Sequence, residues 1–272
     1  MEIQVLIENL IYKKGFIAEH GLSLLVKKDD AEVLIDTGQT DNFMKNSGLM
    51  GIDLKKIKKV VLTHGHYDHV GGLKKLIEEN RNVHIYANNE ILSKKYIERK
   101  SGDIEEIGFD ISLYEKNKEN FILISEDKEI EKDFYVVTNT NIEYNNDFTT
   151  KHFLIEKNNK KLMDKFEDEV FVVVKEGNVI NIITGCSHAG ILNILHTAKK
   201  RFEGFKIKSL IGGFHLKGMP SSEVEDIAWN LKEYNMEKIY TGHCTGVEEY
   251  AILKNILRDR ISYLTTSSSI II

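Results

Sequence analysis

The densest group of chemistry-bearing side chains in this 272-residue chain lies in segment 63–69, which reads THGHYDH. Imidazole is the commonest protein ligand for zinc-like metals, and a carboxylate adds a hard oxygen ligand. Because residues two apart on an extended segment point to the same side, His64 and His66 can bind one metal. Asp68 and His69 lie further along the turn and can face a second metal, and two metals ~3.5–4 Å apart polarise a substrate oxygen together. The alternative is a polar loop that happens to be rich in histidine, but four metal-type side chains so closely spaced favour the metal site.

Three later histidines share one context, a predicted strand followed by a loop that contains glycine. They are His188 in TGCSH, His215 in GGFH and His243 in TGHC. Binding sites in α/β sheets gather beyond the carboxyl ends of strands, so these three are candidate site residues. For His215, contact with a substrate, or with a residue that binds the metal, fits the sequence as well as direct metal binding does. The other histidines lack this context and are predicted to be structural or surface residues: His20, His84, His152 and His196.

The chain has two cysteines, Cys186 and Cys244. Two cysteines cannot build a disulfide scaffold, and they suit a reducing compartment. Both are interpreted as small buried apolar residues, and Cys186 is also a candidate for an additional metal ligand. Their position beside the candidate histidines keeps both interpretations open.

Strands and helices must position these residues, and the sequence predicts both. Strands dominate the front, beginning with the alternating segment 2–7. From residue 170 onward strands and helices alternate, with helices predicted over 190–202, 222–234 and 247–257. This order predicts an α/β protein in which helices cover sheets.

Segment 88–165 differs from the rest, because it is rich in Lys, Glu and Asn and its hydrophobic periodicity is weak. We predict a helix over 90–99 and short strands at 121–124 and 134–137. The segment is interpreted as a variable insertion within one domain, of the kind that forms a lid.

Composition excludes several classes of protein. Hydrophobic residues make up 42% of the chain, as in an ordinary globular protein, and Lys+Arg 37 against Asp+Glu 42 gives a net charge of −5. This mildly acidic balance lacks the electrostatic footprint of a nucleic-acid-binding protein. No apolar run approaches the ~18 residues of a membrane span, and the start of the chain shows no secretory signal. We therefore expect a cytoplasmic protein with neither membrane nor nucleic acid as a partner.

The string HGHYDH matches the HxHxDH signature of the metallo-β-lactamase superfamily, and LIDTG at 34–38 matches its common second motif. In motif order the chain resembles that superfamily over nearly its whole length. The resemblance implies a metallo-β-lactamase-like, four-layered αβ/βα sandwich, here a single domain over 1–272 with the insertion or lid at about 88–165. It also implies one or two divalent metal ions, zinc first, with iron or manganese as the other candidates.

The resemblance also assigns metal ligands by position: His64 and His66 for the first metal, and Asp68, His69 and His243 for the second. Asp36, in the LIDTG motif, is an additional candidate.

The chain departs from the superfamily's hydrolases at one place. Those enzymes usually show a histidine before the hairpin of the second half and a bridging aspartate in a Gly-Asp motif after it. Here the motif reads Gly185-Cys186, and no histidine lies near Asp168. We therefore expect His188 as the third ligand of the first metal, and Cys186 and Asp168 as candidates for the other positions.

The strings GCSHAGILN, GGFHL and HCTG resemble one branch of the superfamily. That branch holds the 7,8-dihydropterin-6-methyl-4-(β-D-ribofuranosyl)aminobenzene-5′-phosphate synthase, called the pterin synthase below. The resemblance implies a transferase in which an arylamine displaces diphosphate from a pterin CH₂ group. Asp68 or a metal-bound hydroxide would accept the arylamine proton, and His215 would contact the substrate.

Two alternatives stay open beside the transferase. One is a di-metal hydrolase of a phosphoester, lactone or thioester that uses a metal-bound hydroxide. The other is a non-catalytic, metal-stabilised protein that binds a small molecule. The expected partner is a phosphorylated small-molecule substrate, and a homo-oligomer is a further candidate assembly.

Overall fold

The computed structural model describes all residues, 1–272, and the chain divides into two compact units. The first unit comprises Met1–Ser125, Thr150–Glu169 and Thr265–Ile272, and the second comprises Glu126–Thr149 and Val170–Leu264. Each unit is thus assembled from separate stretches of the sequence. The single domain over 1–272 stays a prediction.

The strands, in chain order, are β1 (Glu2–Ile7), β2 (Ser23–Lys28), β3 (Ala31–Ile35), β4 (Lys59–Val61), β5 (His84–Asn88), β6 (Lys95–Glu98), β7 (Ile104–Glu106), β8 (Phe121–Ile124), β9 (Lys128–Glu131), β10 (Phe134–Val137), β11 (Phe153–Lys157), β12 (Lys160–Met163), β13 (Phe171–Glu176), β14 (Val179–Ile183), β15 (Lys206–Gly212), β16 (Lys238–Thr241), β17 (Ile261–Tyr263) and β18 (Ser269–Ile271). The α-helices are α1 (Asn42–Leu49), α2 (Tyr67–Val70), α3 (Leu73–Glu79), α4 (Ile111–Lys116), α5 (Asp147–Thr150), α6 (Ile191–Arg201), α7 (Ser221–Glu233) and α8 (Val247–Leu257). Short 3₁₀ helices are Leu54–Lys56, Asn89–Leu92, Lys118–Asn120, His243–Thr245 and Arg258–Arg260. None of the helices combines the length and the apolar character that a membrane span requires.

The first unit contains a seven-stranded mixed sheet in the order β18-β1-β2-β3-β4-β5-β8. Its front strands pair antiparallel, and β3, β4, β5 and β8 run parallel. Val60 of β4 and Ile85 of β5 are completely buried and share a core with Leu73 and Leu76 of α3. Buried apolar residues in adjacent parallel strands are typical of a parallel sheet that is covered on both faces. A separate four-stranded antiparallel sheet has the order β12-β11-β6-β7.

The second unit contains another seven-stranded sheet, in the order β17-β16-β15-β14-β13-β10-β9. The β13–β14 hairpin is antiparallel, and β14, β15, β16 and β17 are parallel to one another. Because parallel neighbours need crossover connections, α6, α7 and α8 link these strands in turn. The loops after β14, β15 and β16 therefore leave the same edge of the sheet, and they carry His188, His215 and His243.

The predicted α/β class is confirmed, as are the strands at 121–124 and 134–137 and the helix at 247–257. The predicted helix over 90–99 is wrong. A 3₁₀ turn occupies the start of that segment and β6 its end, because β6 pairs with β11 on one side and with β7 on the other. These non-local pairs outweigh the helix propensity of its Lys and Glu residues. Strands from segment 88–165 enter all three sheets, and its role as a lid stays a prediction.

Candidate metal centre

In the first unit the loop after β4 and the short helix α2 gather four predicted ligands. All four side chains, His64, His66, Asp68 and His69, are buried. The ring of His64 lies 4.6 Å from the ring of His66 and 4.2 Å from that of His69, centroid to centroid. His69 Nε2 lies 3.9 Å from Asp68 Oδ2. The four side chains that the THGHYDH spacing predicted as ligands therefore converge on one place.

Asp36, at the end of β3, sets the orientation of two of these rings. It is buried, and its Oδ2 lies 2.6 Å from His69 Nδ1. Its two oxygens also accept the backbone N–H of Thr63 at 2.8 Å and the Thr63 hydroxyl at 2.7 Å. A carboxylate accepts, so His69 carries its proton on Nδ1 and presents the lone pair of Nε2.

The Thr63 hydroxyl extends this orientation to His64. Its single hydrogen is given to Asp36, so its oxygen accepts from His64 Nδ1, which lies 3.1 Å away. His64 therefore also presents an Nε2 lone pair. Burial, together with the neighbouring rings of His69 and His66, holds the pKa of His64 well below its ordinary value. The ring is neutral at neutral pH, which is the form that binds a metal.

Aromatic side chains enclose the remaining histidine of the motif. His66 stacks on Phe153 with ring centroids 5.1 Å apart, and Phe166 packs edge-on against it at 5.4 Å. Both phenylalanines belong to the stretch Thr150–Glu169, which the first unit takes from later in the chain. This apolar wall restricts the rotation of the His66 ring.

Asp168 holds the backbone of the motif. Its Oδ2 accepts the N–H of Gly65 at 2.8 Å, and its Oδ1 lies 2.8 Å from the ammonium of Lys95. Lys95 also contacts Asp164 at 2.6 Å, and all three charged side chains are buried. Burial alone would lower the pKa of Lys95, but the two carboxylates outweigh it and raise that pKa. Both oxygens of Asp168 thus have partners in the protein, and its service as a metal ligand stays a prediction.

In the second unit the loops beyond β14 and β15 bring His188 and His215 together, with ring centroids 4.1 Å apart. His188 is fully buried, whereas His215 is partly exposed. His188 Nδ1 lies 3.0 Å from the carbonyl oxygen of Thr149. A carbonyl can only accept, so the proton is on Nδ1 and Nε2 presents its lone pair. The Thr149 hydroxyl donates back to the His188 carbonyl at 2.6 Å, which holds the two segments together.

Both cysteines lie among these histidines. The ligand atoms of Cys186, His188 and His215 are within 4.8 Å of one another, and so are those of Cys186, His243 and Cys244. Neither cysteine forms a disulfide. A Cβ added at Gly213 would come within 2.5 Å of Cys244 Sγ, so a glycine is required there. Burial opposes ionisation of Cys244, but hydrogen bonding with Cys186 and His215 outweighs it and lowers the pKa of the thiol.

The donors of each unit fit a transition metal. Imidazole nitrogens with a carboxylate suit zinc, iron and manganese, and a thiol adds a soft ligand that favours zinc. The Nδ1–H groups of His69, His64 and His188 donate to Asp36, Thr63 and Thr149, respectively. Histidines that bind a metal through Nε2 usually donate their other ring N–H to such an acceptor.

One contact in the first unit was not predicted from the sequence. His20, predicted as structural or surface, is exposed, and its Nε2 lies 3.2 Å from Asp68 Oδ2. The sequence does place His20 next to a glycine, Gly21, just before a strand. The other site histidines also lie near glycines, although their loops follow strands. His84 and His152 are exposed, and His196 pairs with Glu143, as their interpretation expected.

Known proteins resemble this chain in sequence and in fold. A family model described as the metallo-beta-lactamase superfamily matches residues 17–141. Over 255 residues the chain is 32% identical to the uncharacterized protein MJ0448 of Methanocaldococcus jannaschii, covering 93% of this chain and 94% of that protein. The chain belongs to the metallo-β-lactamase superfamily.

Two further relatives have a described activity. This chain is 27% identical over 256 residues to the pterin synthase of Methanocaldococcus jannaschii, covering 86% of this chain and 84% of that protein. It is 32% identical to a crystal structure described as Tm1679, a metal-dependent hydrolase of the beta-lactamase superfamily, with a TM-score of 0.86. That match covers 100% of this chain and 99% of the other. The predicted family is thereby confirmed, together with its fold.

Proposed function

We propose that this superfamily member is a metal-dependent transferase that joins an arylamine to a pterin CH₂ group with loss of diphosphate. The observation that carries metal dependence is the set of three rings, His64, His69 and His188, whose Nδ1 atoms are bound to acceptors. Support for the reaction is the 27% identity to the pterin synthase over most of both chains.

We propose one or two divalent ions, zinc first, with iron or manganese as alternatives. The superfamily resemblance supports His64 and His66 as ligands of the first ion, and Asp68, His69 and His243 as ligands of the second. We assign His188 as the third ligand of the first ion, because no histidine lies near Asp168 in the sequence. When bound, such cations supply positive charge that offsets the negative charge developing on the departing diphosphate.

In this reaction a C–N bond forms between the arylamine and the pterin methylene carbon, while the C–O bond to diphosphate breaks. We assign Asp68 to accept the proton that the arylamine nitrogen loses. His215 is partly exposed and packs against His188, which suits a ring that contacts substrate. No side chain needs to form a covalent intermediate.

A second candidate function is hydrolysis of a phosphoester, lactone or thioester. The observation that favours it is the similarity to the metal-dependent hydrolase, at 32% identity over the whole chain. The same ligands would serve, and water would replace the arylamine as the attacking group. Asp68 would then hold or accept a proton of that water.

The location and the partners of the protein are proposed from its cysteines and its net charge. Two buried thiols outside any disulfide suit a reducing compartment, and we propose the cytoplasm. A phosphorylated small molecule is the proposed partner, and the net charge of −5 does not favour nucleic acid.

The test is one incubation of protein loaded with Zn²⁺, Fe²⁺ or Mn²⁺, the dihydropterin diphosphate and the arylamine ribose phosphate, analysed by mass spectrometry. A coupled product that disappears with a chelator and in Asp68→Ala, but persists in His84→Ala, is the expected result. His84 is exposed and serves as the matched control. Absence of the product together with metal-dependent ester hydrolysis would replace the transferase by the hydrolase.

A further inference from the structure

A chain of three side chains in the first unit, Asn9, His20 and Asp68, ends on a proposed metal ligand. We infer that His20 is a positioning residue that orients the Asp68 carboxylate, and that Asn9 fixes the tautomer of His20 that this task requires. The inference rests on the proposed role of Asp68 in the metal centre. It gives a defined role to a histidine outside the HGHYDH motif.

The contact joins His20 Nε2 to Asp68 Oδ2 at 3.2 Å. The side chain of His20 is 51% exposed, whereas that of Asp68 is 9% exposed. The imidazole therefore covers one carboxylate oxygen from the solvent side. A hydrogen bond there restricts rotation of the carboxylate about its Cβ–Cγ bond, so its oxygens keep a fixed direction.

The tautomer of His20 follows from the orientation of Asn9. The backbone N–H of Gly21 points at Asn9 Oδ1, 3.2 Å away, and a backbone N–H can only donate. This fixes the amide, so the atom of Asn9 that lies 3.2 Å from His20 Nδ1 is the donor Nδ2. His20 Nδ1 then accepts, the ring proton is on Nε2, and Nε2–H donates to Asp68.

The backbone at Asp68 is held in place without the His20 ring. Leu22 donates its N–H to the carbonyl oxygen of Asp68 at 3.3 Å. A Cβ added at Gly21 would come within 2.7 Å of the same oxygen, so the glycine permits the close approach. Substitutions at the exposed position 20 therefore leave the backbone contact intact, and the folded protein remains available for measurement.

The competing assignment is that His20 itself binds a metal beside Asp68. The two roles need opposite states of one atom, because a ligand nitrogen must present a lone pair and a positioning nitrogen must carry hydrogen. The protonation of Nε2 therefore separates them without any enzyme assay.

The first measurement is long-range ¹H–¹⁵N correlation of the histidine rings in the full chain, with and without Zn²⁺. The sample is kept at about pH 8 in both states. We expect His20 to show the Nε2–H tautomer in both states, and Asn9→Leu to shift it toward a tautomer mixture. Loss of the Nε2 proton when Zn²⁺ is added would overturn the positioning role and make His20 a ligand.

The second measurement is Zn²⁺ affinity by competition with a chromophoric chelator. Loss of the outer partner of a metal ligand typically weakens binding by ~10–100-fold, so we expect His20→Ala to lose about tenfold. His20→Gln, whose amide can still donate to Asp68, should regain most of it, and His84→Ala should match the wild type. Wild-type affinity in His20→Ala would overturn the inference. Neither measurement uses a substrate, so failure of the transferase reaction is distinguishable from failure of this inference.

Discussion

The buried ion cluster behind the HGHYDH loop offers a large and measurable perturbation, the substitution Lys95→Met. Lys95 is 1% exposed, and its ammonium contacts Asp164 at 2.6 Å and Asp168 at 2.8 Å. Methionine fills most of the lysine's volume but removes the cation that contacts both of these buried carboxylates. The free energy of unfolding should fall for two reasons. Two charge-assisted hydrogen bonds are lost, and buried negative charge is left without its partner.

The magnitude follows from typical values for each part. A hydrogen bond to a charged group contributes ~1.5–3 kcal/mol, so two such bonds predict a loss of ~3–6 kcal/mol. Removal of one partner of a buried ion pair typically costs ~3–5 kcal/mol, which agrees with the estimate from the hydrogen bonds. We therefore expect Lys95→Met to lower the free energy of unfolding of the first unit by about 4 kcal/mol.

The assay is urea unfolding followed by circular dichroism, together with hydrogen exchange at the Gly65 amide, which donates to Asp168. The matched control is Lys94→Met, because Lys94 is the exposed neighbour in the chain. It should change the free energy by no more than ~0.5 kcal/mol. Adding Asp164→Asn and Asp168→Asn to Lys95→Met should recover part of the loss, since no unpaired charge is then buried. A loss below ~1 kcal/mol in Lys95→Met, with unchanged exchange at Gly65, would refute the reasoning.

Three other predictions concern the proposed metal centre. Asp68→Ala should reduce metal-dependent turnover by at least ~10²-fold, because it removes a proposed ligand and proton acceptor; unchanged turnover in a steady-state assay would contradict this. Asp36→Ala should weaken Zn²⁺ binding by ~10–100-fold in chelator competition, because it removes the partner of His69 Nδ1, and wild-type affinity would rule that role out. The folded-state pKa of His64 is lowered, so its contribution to stability is present above the unfolded pKa of ~6.5 and is lost as pH falls through the folded pKa. Metal-free protein should therefore lose stability on acidification, and His64→Leu should show a shallower slope in urea unfolding between about pH 7.5 and pH 5; equal slopes would count against the buried neutral ring.

Local patterns were sufficient for much of this protein. The helix at 247–257 and the strands at 121–124 and 134–137 were predicted at their observed bounds. The helix has apolar residues at helical spacing, and the strands are short apolar runs rich in aromatic and β-branched residues. The motif HGHYDH predicted a cluster of ligands for a similar reason. Its side chains are so close in the chain that one turn after a buried strand brings them together.

The sequence misled where distant partners decide the conformation. Segment 90–99 carries good helix formers, yet Lys95–Glu98 is a strand, because its backbone pairs with Phe153–Lys157. A strand in a sheet obtains its hydrogen bonds from other segments, and those segments cannot be identified from local propensity.

The sequence by itself determined the superfamily, the α/β class and the side chains able to bind a metal, because each depends on residue types at short spacing. Only the tertiary structure decided which nitrogen of His64, His69 and His188 carries the proton, because the acceptors lie on other elements. It alone paired His20 with Asp68. The same holds for Lys95, an ordinary lysine in the sequence, which is buried between two carboxylates contributed by a later stretch of the chain. Burial and hydrogen bonding join residues that are far apart in sequence, and packing of the whole unit selects those partners.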